Sequence, residues 1–395
     1  MKIRNWIYIL SASVLLSGGL VSCSLDVDPR QSIDADIALD TQEGVNAAIN
    51  SVYARLRAQA NYGRDLLGVS DALADVGRTT NNSGRFIGEN NNQPNAHFGH
   101  WANSYFAINE ANILLDRIAA GNIQGANQGT LDRWEGELKF LRALYYFDLV
   151  KAYSYIPTAI HLPGVVDEGG IPMPLEGSIT SDVAVNRLTP RSTIDENYDQ
   201  IMSDLNDAIR LLTPGGRGVQ FASGNAAQAL LARVALYRGE YQTAVEAATG
   251  ALAGPVGTVL NANNYAAGWR TAVHPESVFE VRFQLSEEAL GVNVSKQSSF
   301  TVLLNLENKN AQGGWGDFIP QQKILDLFGL EQLFIGPDPD AEGALANNNN
   351  WDVTRNEDVR AFQYTTGNTV RNAGRQIESI KFLAKNDFPW VITRL

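Results

Sequence analysis

The chain has 395 residues, 44% of them hydrophobic, and carries 31 Lys and Arg against 43 Asp and Glu, a formal net charge of −12. That hydrophobic content excludes global disorder. A surface this acidic, with no Lys/Arg cluster to offset it, repels phosphate backbones and excludes nucleic acid as a partner. Cys23 is the only cysteine, so the chain can form no internal disulfide and has no thiolate set for a metal.

In chain order the first element is a leader. Lys2 and Arg4 supply a short positive region, and Trp6 to Leu16 is an apolar run of eleven residues. Spanning a bilayer takes about 20 apolar residues, so this run reads as the core of a signal peptide rather than a membrane helix. Leu20-Val21-Ser22-Cys23 resembles the bacterial lipobox, in which the cysteine is lipidated and becomes the first residue. Residues 1–22 are thus expected to be a lipoprotein signal peptide and Cys23 a lipid tether; an ordinary signal peptide with an incidental cysteine is the alternative. Several acyl chains on one residue anchor a protein far more firmly than one chain can. Asp26 and Asp28 resemble an acidic signal for export to the cell surface. Removing the leader would take away Lys2 and Arg4 and leave 29 basic residues against 43 acidic ones, a net charge of −14.

Helices follow. Val45, Ala48, Ile49, Val52 and Leu56 form a stripe at helical spacing, capped by Asp40 or Thr41. Trp101 to Ile118 repeats the pattern through Tyr105, Ile108, Ile113 and Leu114. From Phe140 to Val150, within Leu131–Tyr153, nearly every helix face is apolar or aromatic, which predicts a central, buried helix. Thr193-Ile194-Asp195-Glu196 is a capping-box pattern, and Pro214-Gly215-Gly216 is the stop. Asn225 to Leu252 places small alanines along two helices with Arg238-Gly239-Glu240 as the turn, which looks like a tetratricopeptide hairpin; a generic helical hairpin is the alternative. A single such unit cannot bury its own face, so its neighbours must stack on it. Residues 60–100 and 255–375 are rich in Asn, Gly and Ser, with short alternating runs such as Val278 to Phe283. The expected fold is mainly α: a tetratricopeptide-like helical hairpin scaffold over about 36–253, carrying a loop-rich face with a few short strands over 254–395.

Taken in order, several segments resemble the SusD/RagB family of outer-membrane nutrient-binding lipoproteins. They are the lipobox, Trp101–Leu115, Gly136–Pro157 with FLRALYYFDLV ahead of Ile156-Pro157, Gly169–Glu176, Arg191–Leu212, the alanine-rich hairpin and Glu276–Phe283. The resemblance runs over about residues 20–395, so that residues 23–395 are expected to form one SusD-like domain. It implies capture of glycans, as oligosaccharide or polysaccharide, or of peptides, at the outer surface of the outer membrane. It also implies a lid role over a TonB-dependent transporter of the SusC type. Family members usually continue past the stretch matching Asp387–Leu395 into a further helical segment. The chain is therefore expected to lack the usual C-terminal portion, and with it a cover for some apolar surface.

Catalytic motifs are not evident. The sequence has no H-E-x-x-H, G-x-S-x-G, P-loop or G-x-G-x-x-G pattern. His97 and His100 are three apart and could share a helix face toward a metal, but no third ligand is evident. Asp338 to Gly343 resembles the first half of a calcium loop, and the twelfth position, which should be a bidentate carboxylate, is Asn349. No metal and no cofactor are expected; calcium at Asp338–Gly343 is the one alternative. Carboxylate pairs for glycoside hydrolysis are not singled out by any pattern.

A sugar offers flat C–H faces that settle on aromatic rings and a rim of hydroxyls that seeks Asn, Gln, Asp and Arg. Aromatics in polar loops are therefore the candidate glycan contacts. Trp315 leads, because its flanking glycines leave little to bury it. Phe86 follows, with Asn81, Asn82 and Arg85 beside it, and then Trp269 and Trp351. Trp101 sits at helical spacing from Tyr105 and is assigned to the core. The expected function is a surface lipoprotein that binds glycans and hands them to a transporter. Peptide capture, a purely structural lid, or a surface hydrolase are the competing readings.

Overall fold

Helix follows helix over the first two-thirds of the chain: α1 (Gln42–Arg55), α2 (Asp65–Leu73), α3 (Trp101–Ala120), α4 (Gln128–Tyr153), α5 (Ile194–Leu211), α6 (Gly224–Arg238) and α7 (Tyr241–Ala253), with α8 (Gln322–Phe328) later. The structure is a computed structural model describing residues 38–255, 259–271, 273–283, 295–304, 306–311, 313–367, 375–381, 383 and 393–394. Residues 1–22, expected to be a signal peptide, and Cys23, Asp26 and Asp28 lie outside the described residues. Among the described residues, no helix is long and apolar enough to cross a membrane.

α4 is the axis. Every residue from Phe140 to Val150 is buried, as the all-round apolar pattern predicts. α1, α3 and α5 pack around it, α6 packs on α5, and α7 packs on α6, so the helices form a consecutive stack. Burying each large apolar side chain contributes roughly 1.5–3 kcal/mol, and α4 alone buries Trp134, Phe140, Leu141, Leu144, Tyr145, Tyr146, Phe147 and Leu149.

Local chemistry sets the helix ends. Thr41, rather than Asp40, caps α1, its hydroxyl accepting from the Gly44 amide at 3.1 Å. Thr193 and Glu196 close the capping box on α5, with the Thr193 amide donating to Glu196 at 2.8 Å and the Glu196 amide to Thr193 Oγ1 at 3.2 Å. Gly239, in the left-handed region at φ 81°, ends α6 and lets the chain turn into α7. These two helices approach closely: a Cβ on Gly250 would lie 2.5 Å from the Gln228 side chain. Their outward face leaves Leu236, Tyr241, Val245 and Leu252 exposed.

Buried charge cross-links the stack. Arg142 on α4 donates to both oxygens of Asp204 on α5, at 2.8 and 2.7 Å, and to Asn112 on α3 at 2.8 Å. Glu137 on α4 accepts from Tyr53, Arg133 and Arg217.

The strands are short antiparallel pairs on the loop-rich side. β1 (Gly77–Thr79) and β2 (Glu280–Val281) come first, then β3 (Phe318–Pro320) and β4 (Gln332–Phe334). β5 (Trp351–Val353), β6 (Tyr364–Thr366), β7 (Ile377–Ser379) and β8 (Thr393–Arg394) complete the set. β1 pairs with β3, β2 with β8, β4 with β5 and β6 with β7. β3 also lies against β7, and β5 against β6, so three of these ribbons adjoin one another. The mainly helical expectation, with a loop-rich face and a few short strands, matches this architecture.

Candidate functional site

The register of β1 on β3 sets Thr79 opposite Phe318. The chain leaving β1 therefore runs beside the chain entering β3, and the Thr80 amide donates to the Asp317 carbonyl at 2.9 Å. Residues 81–86 and 313–317 are brought together by that pairing. The Asn82 side-chain amide donates to the Trp315 carbonyl at 2.8 Å, and the Thr80 hydroxyl to the Gly316 carbonyl at 2.6 Å. Asp317, almost fully buried, accepts from Arg85 at 3.2 Å and from the Ser83 hydroxyl. The Arg85 guanidinium sits 6.0 Å from the centre of the Trp315 ring.

Trp315 is half-buried, with Arg85 and Asn82 half-buried beside it and Asn81 exposed. Asn82, Arg85 and Trp315, three of the seven expected contact residues, thus converge from two distant segments, and Asn81 adjoins Asn82 in the chain. The glycines around Trp315 act differently from the sequence expectation. They do not merely leave the ring uncovered; they let the backbone descend onto its support. A Cβ on Gly314 would fall 1.8 Å from the Thr301 carbonyl, and Gly316 holds φ 58° with no room for a Cβ beside Val302. The Trp315 and Gly316 amides both donate to the Ser298 carbonyl at 2.8 Å. Both bonds tie the backbone that carries the indole to Ser298.

Phe86 corrects the sequence reading. It is buried at 7% exposure in a cluster with Val69, Ala72, Phe300 and Phe318, its ring 4.7 Å from that of Phe318. The Asn- and Gly-rich neighbourhood suggested an open loop, but this ring is the underside of the platform and does not face a ligand. Its backbone sits at φ 60°, which costs a non-glycine residue roughly 1–2 kcal/mol. Such strain persists where surrounding packing over-determines the conformation.

Trp269 and Trp351 are half-buried. Trp269 packs edge-on to His274 at 4.9 Å, with the Lys381 ammonium 4.5 Å from its ring centre. Trp351 opens β5, meets Phe334 edge-on at 5.4 Å, and is covered by the Arg375 guanidinium at 4.3 Å. That leaves less free ring than a polar-loop tryptophan suggests. Trp101 is half-buried at the edge of the main core against Tyr105 and Tyr153.

The histidine reading also changes. His97 and His100 precede α3 instead of sharing a helix face; His97 is exposed and His100 fully buried, with its Nε2 3.3 Å from the Asp148 carbonyl. Among the described residues no group of three or more His, Cys, Asp or Glu is placed to hold a metal ion. In the Asp338–Gly343 turn, Asp338 accepts from the Asp340 amide at 2.9 Å, while the Asn349 side-chain oxygen accepts from the Lys309 amide at 2.8 Å.

Two features escaped sequence reasoning. A cleft of about 310 Å³ opens between α1 and β2, walled by Tyr53, Phe221 and Phe279, with Arg57 and Gln220 at its polar side. Its residues come from three distant segments, so no local signal marks it. Under the Trp315 loop lies Glu378 of β7, 3% exposed, which accepts from the Thr301 hydroxyl at 2.7 Å and the Val302 amide at 2.9 Å. Burial pushes its pKa up from 4.5 to about 7.

A half-open indole beside an arginine and an asparagine amide offers a stacking face with hydrogen-bonding groups around it. That is the chemistry of a sugar-ring subsite.

Comparison with known proteins bears on this site. Residues 24–236 match the SusD-like family profile, described as starch-binding and associating with outer membrane. SusD-like protein P2 from Formosa agariphila is 28% identical over 240 residues, covering 58% of this chain and 43% of that protein. The match therefore spans less than half the length of that curated relative. A SusD superfamily protein from Bacteroides thetaiotaomicron superposes with a TM-score of 0.68 at 22% identity, covering 88% of this chain and 71% of that one. A laminarin-binding SusD-like protein superposes with a TM-score of 0.61 at 18% identity, covering 90% and 77%. At these identities the likeness shows a shared fold.

Proposed function

Because this chain belongs to the SusD-like family, we propose that it is a cell-surface lipoprotein that binds glycans and hands them to a TonB-dependent transporter of the SusC type. The observation that carries the glycan reading is the convergence of Asn82 and Arg85 on the half-exposed Trp315. Trp315 supplies the stacking face, Arg85 and Asn81 reach sugar hydroxyls, and Asn82 and Asp317 fix the loop. The laminarin-binding and starch-binding descriptions of its relatives support the same class of ligand.

Anchoring is assigned to Cys23, on the order of positive region, apolar run and lipobox. Transfer to a transporter requires a protein-contact surface. Leu162, Val166, Ile179, Val185 and Leu188 stand exposed along one stretch of chain and supply apolar area for it. The role is binding; no step of bond cleavage is assigned to any residue.

The test is a thermal melt of the purified chain, alone and with a panel of soluble polysaccharides and oligosaccharides. A ligand that binds only the folded state raises the midpoint by mass action. A cooperative melt shifted upward by one glycan class supports the reading. A cooperative melt that no glycan moves contradicts it and favours peptide capture or a structural lid.

A further inference from the structure

Three basic side chains distant in sequence meet at β5. The Lys309 ammonium donates to the Trp351 carbonyl at 2.7 Å and lies 4.0 Å from Asp352. Arg355 donates to both Asp352 oxygens, at 2.8 and 3.3 Å. The Arg375 guanidinium lies over the Trp351 ring, 4.3 Å from its centre. Burial lowers the Lys309 pKa, Asp352 opposes that, and the Arg355 and Arg375 charges lower it further. Among the described residues Asp352 is the carboxylate that acts on Lys309. Among the described residues Lys309 and Arg355 share the Asp352 carboxylate, on a chain whose net charge is −12.

Arg375 stands out. Among the described residues it is in no ion pair: its Nη2 donates to the Leu345 carbonyl at 2.9 Å and to Asn348 at 3.1 Å, and its Nη1 makes no hydrogen bond to them. Burial lowers its pKa. A guanidinium stripped of part of its water, unpaired, and half-open to solvent is poised to accept an anion, for which its planar fork is well matched.

We propose that Lys309, Arg355 and Arg375 beside Trp351 form a subsite for the carboxylate or sulfate group of an acidic glycan. This rests on the glycan-binding reading and extends it, since the ligand class becomes a charged polysaccharide and not only a neutral one. Trp351 and Asn348 orient the Arg375 fork, and Arg355 and Lys309 contribute field while Asp352 holds them in place. The β5 ribbon adjoins β6, β6 pairs with β7, and β7 lies against β3, so the subsite and the Trp315 loop are connected through one set of short strands.

The test is calorimetric titration of the purified chain and of Arg375→Gln with polygalacturonate, dextran sulfate and neutral laminarin. The expected result is binding of at least one acidic polymer, weakened about tenfold or more in Arg375→Gln and weakened by added salt. Laminarin affinity should be the same in both proteins. The polygalacturonate and dextran sulfate arms separate carboxylate from sulfate. Laminarin bound while neither acidic polymer binds, or acidic binding equal in the two proteins, overturns the subsite and leaves the glycan reading standing. Binding of none of the three overturns both. Should Arg375→Gln fail to melt cooperatively, the salt dependence of the unsubstituted chain decides: acidic-polymer affinity that does not fall with salt overturns the subsite.

Discussion

The side-chain amide of Asn82 donates to the backbone carbonyl of Trp315 at 2.8 Å across 233 positions of sequence. That bond, with Thr80 on Gly316 and Arg85 on Asp317, joins the two loops of the candidate site. Asn82→Ala removes it without opening the core. The expected stability loss is about 1 kcal/mol, the net value of one such hydrogen bond, while glycan affinity falls severalfold because the indole loses its fixed position. Melting and titration of the same variant check both.

Arg142 and Asp204 form a bidentate pair buried between α4 and α5, with side chains 7% and 2% exposed. Desolvation works against the Arg142 charge, and the hydrogen bonds to Asp204 hold its pKa above the usual value despite that. Asp204→Ala would leave a guanidinium buried with only Asn112 and the Leu175 carbonyl as acceptors. Removing one partner of a buried pair costs roughly 3–5 kcal/mol. Urea unfolding should therefore show a large fall in midpoint for Asp204→Ala.

Glu378 gives stability a pH dependence. Its folded pKa is about 7 against 4.5 ordinarily, raised by burial, so the folded state holds the proton more tightly than the unfolded chain. The associated stability is fully present below pH 4.5 and is lost as pH rises to 7. Asp71, raised by burial to about 6, acts in the same direction. The fall amounts to about 1.4 kcal/mol per pH unit while the proton is held only in the folded state. Glu378→Gln can keep an acceptor for Thr301 and Val302 but does not titrate. Its melting midpoint should change less between pH 5 and pH 8 than that of the unsubstituted chain, and should be the higher of the two at pH 8. Parallel pH profiles for the two proteins would contradict this.

The helical scaffold was legible because its signals are local. The apolar run Phe140–Val150 reads as a buried helix before any packing is known, and Thr193 with Glu196 marks the start of α5 to the residue. The loop-rich face was legible in part. Residue type pointed to Trp315, Asn81, Asn82 and Arg85, yet their meeting depends on β1 and β3, strands of three residues each that carry no detectable period. Phe86 was misjudged because its polar sequence neighbours say nothing about Phe300 and Phe318, which bury it from far along the chain. Lys309, Arg355 and Arg375 never look like a cluster in sequence; only the β4–β5 and β6–β7 ribbons assemble them. Short strands and long-range loop contacts are where single-chain pattern reading loses its grip.

Titration of laminarin and starch oligosaccharides into the unsubstituted chain and Trp315→Ala tests the central claim most directly. Truncating a tryptophan that anchors a contact typically removes about 2 kcal/mol or more of binding free energy. The expected result is glycan binding by the unsubstituted chain, its loss or a fall of roughly 30-fold in Trp315→Ala, and a cooperative melt for both proteins. Equal glycan affinity in the two proteins would contradict the assignment of the site to Trp315.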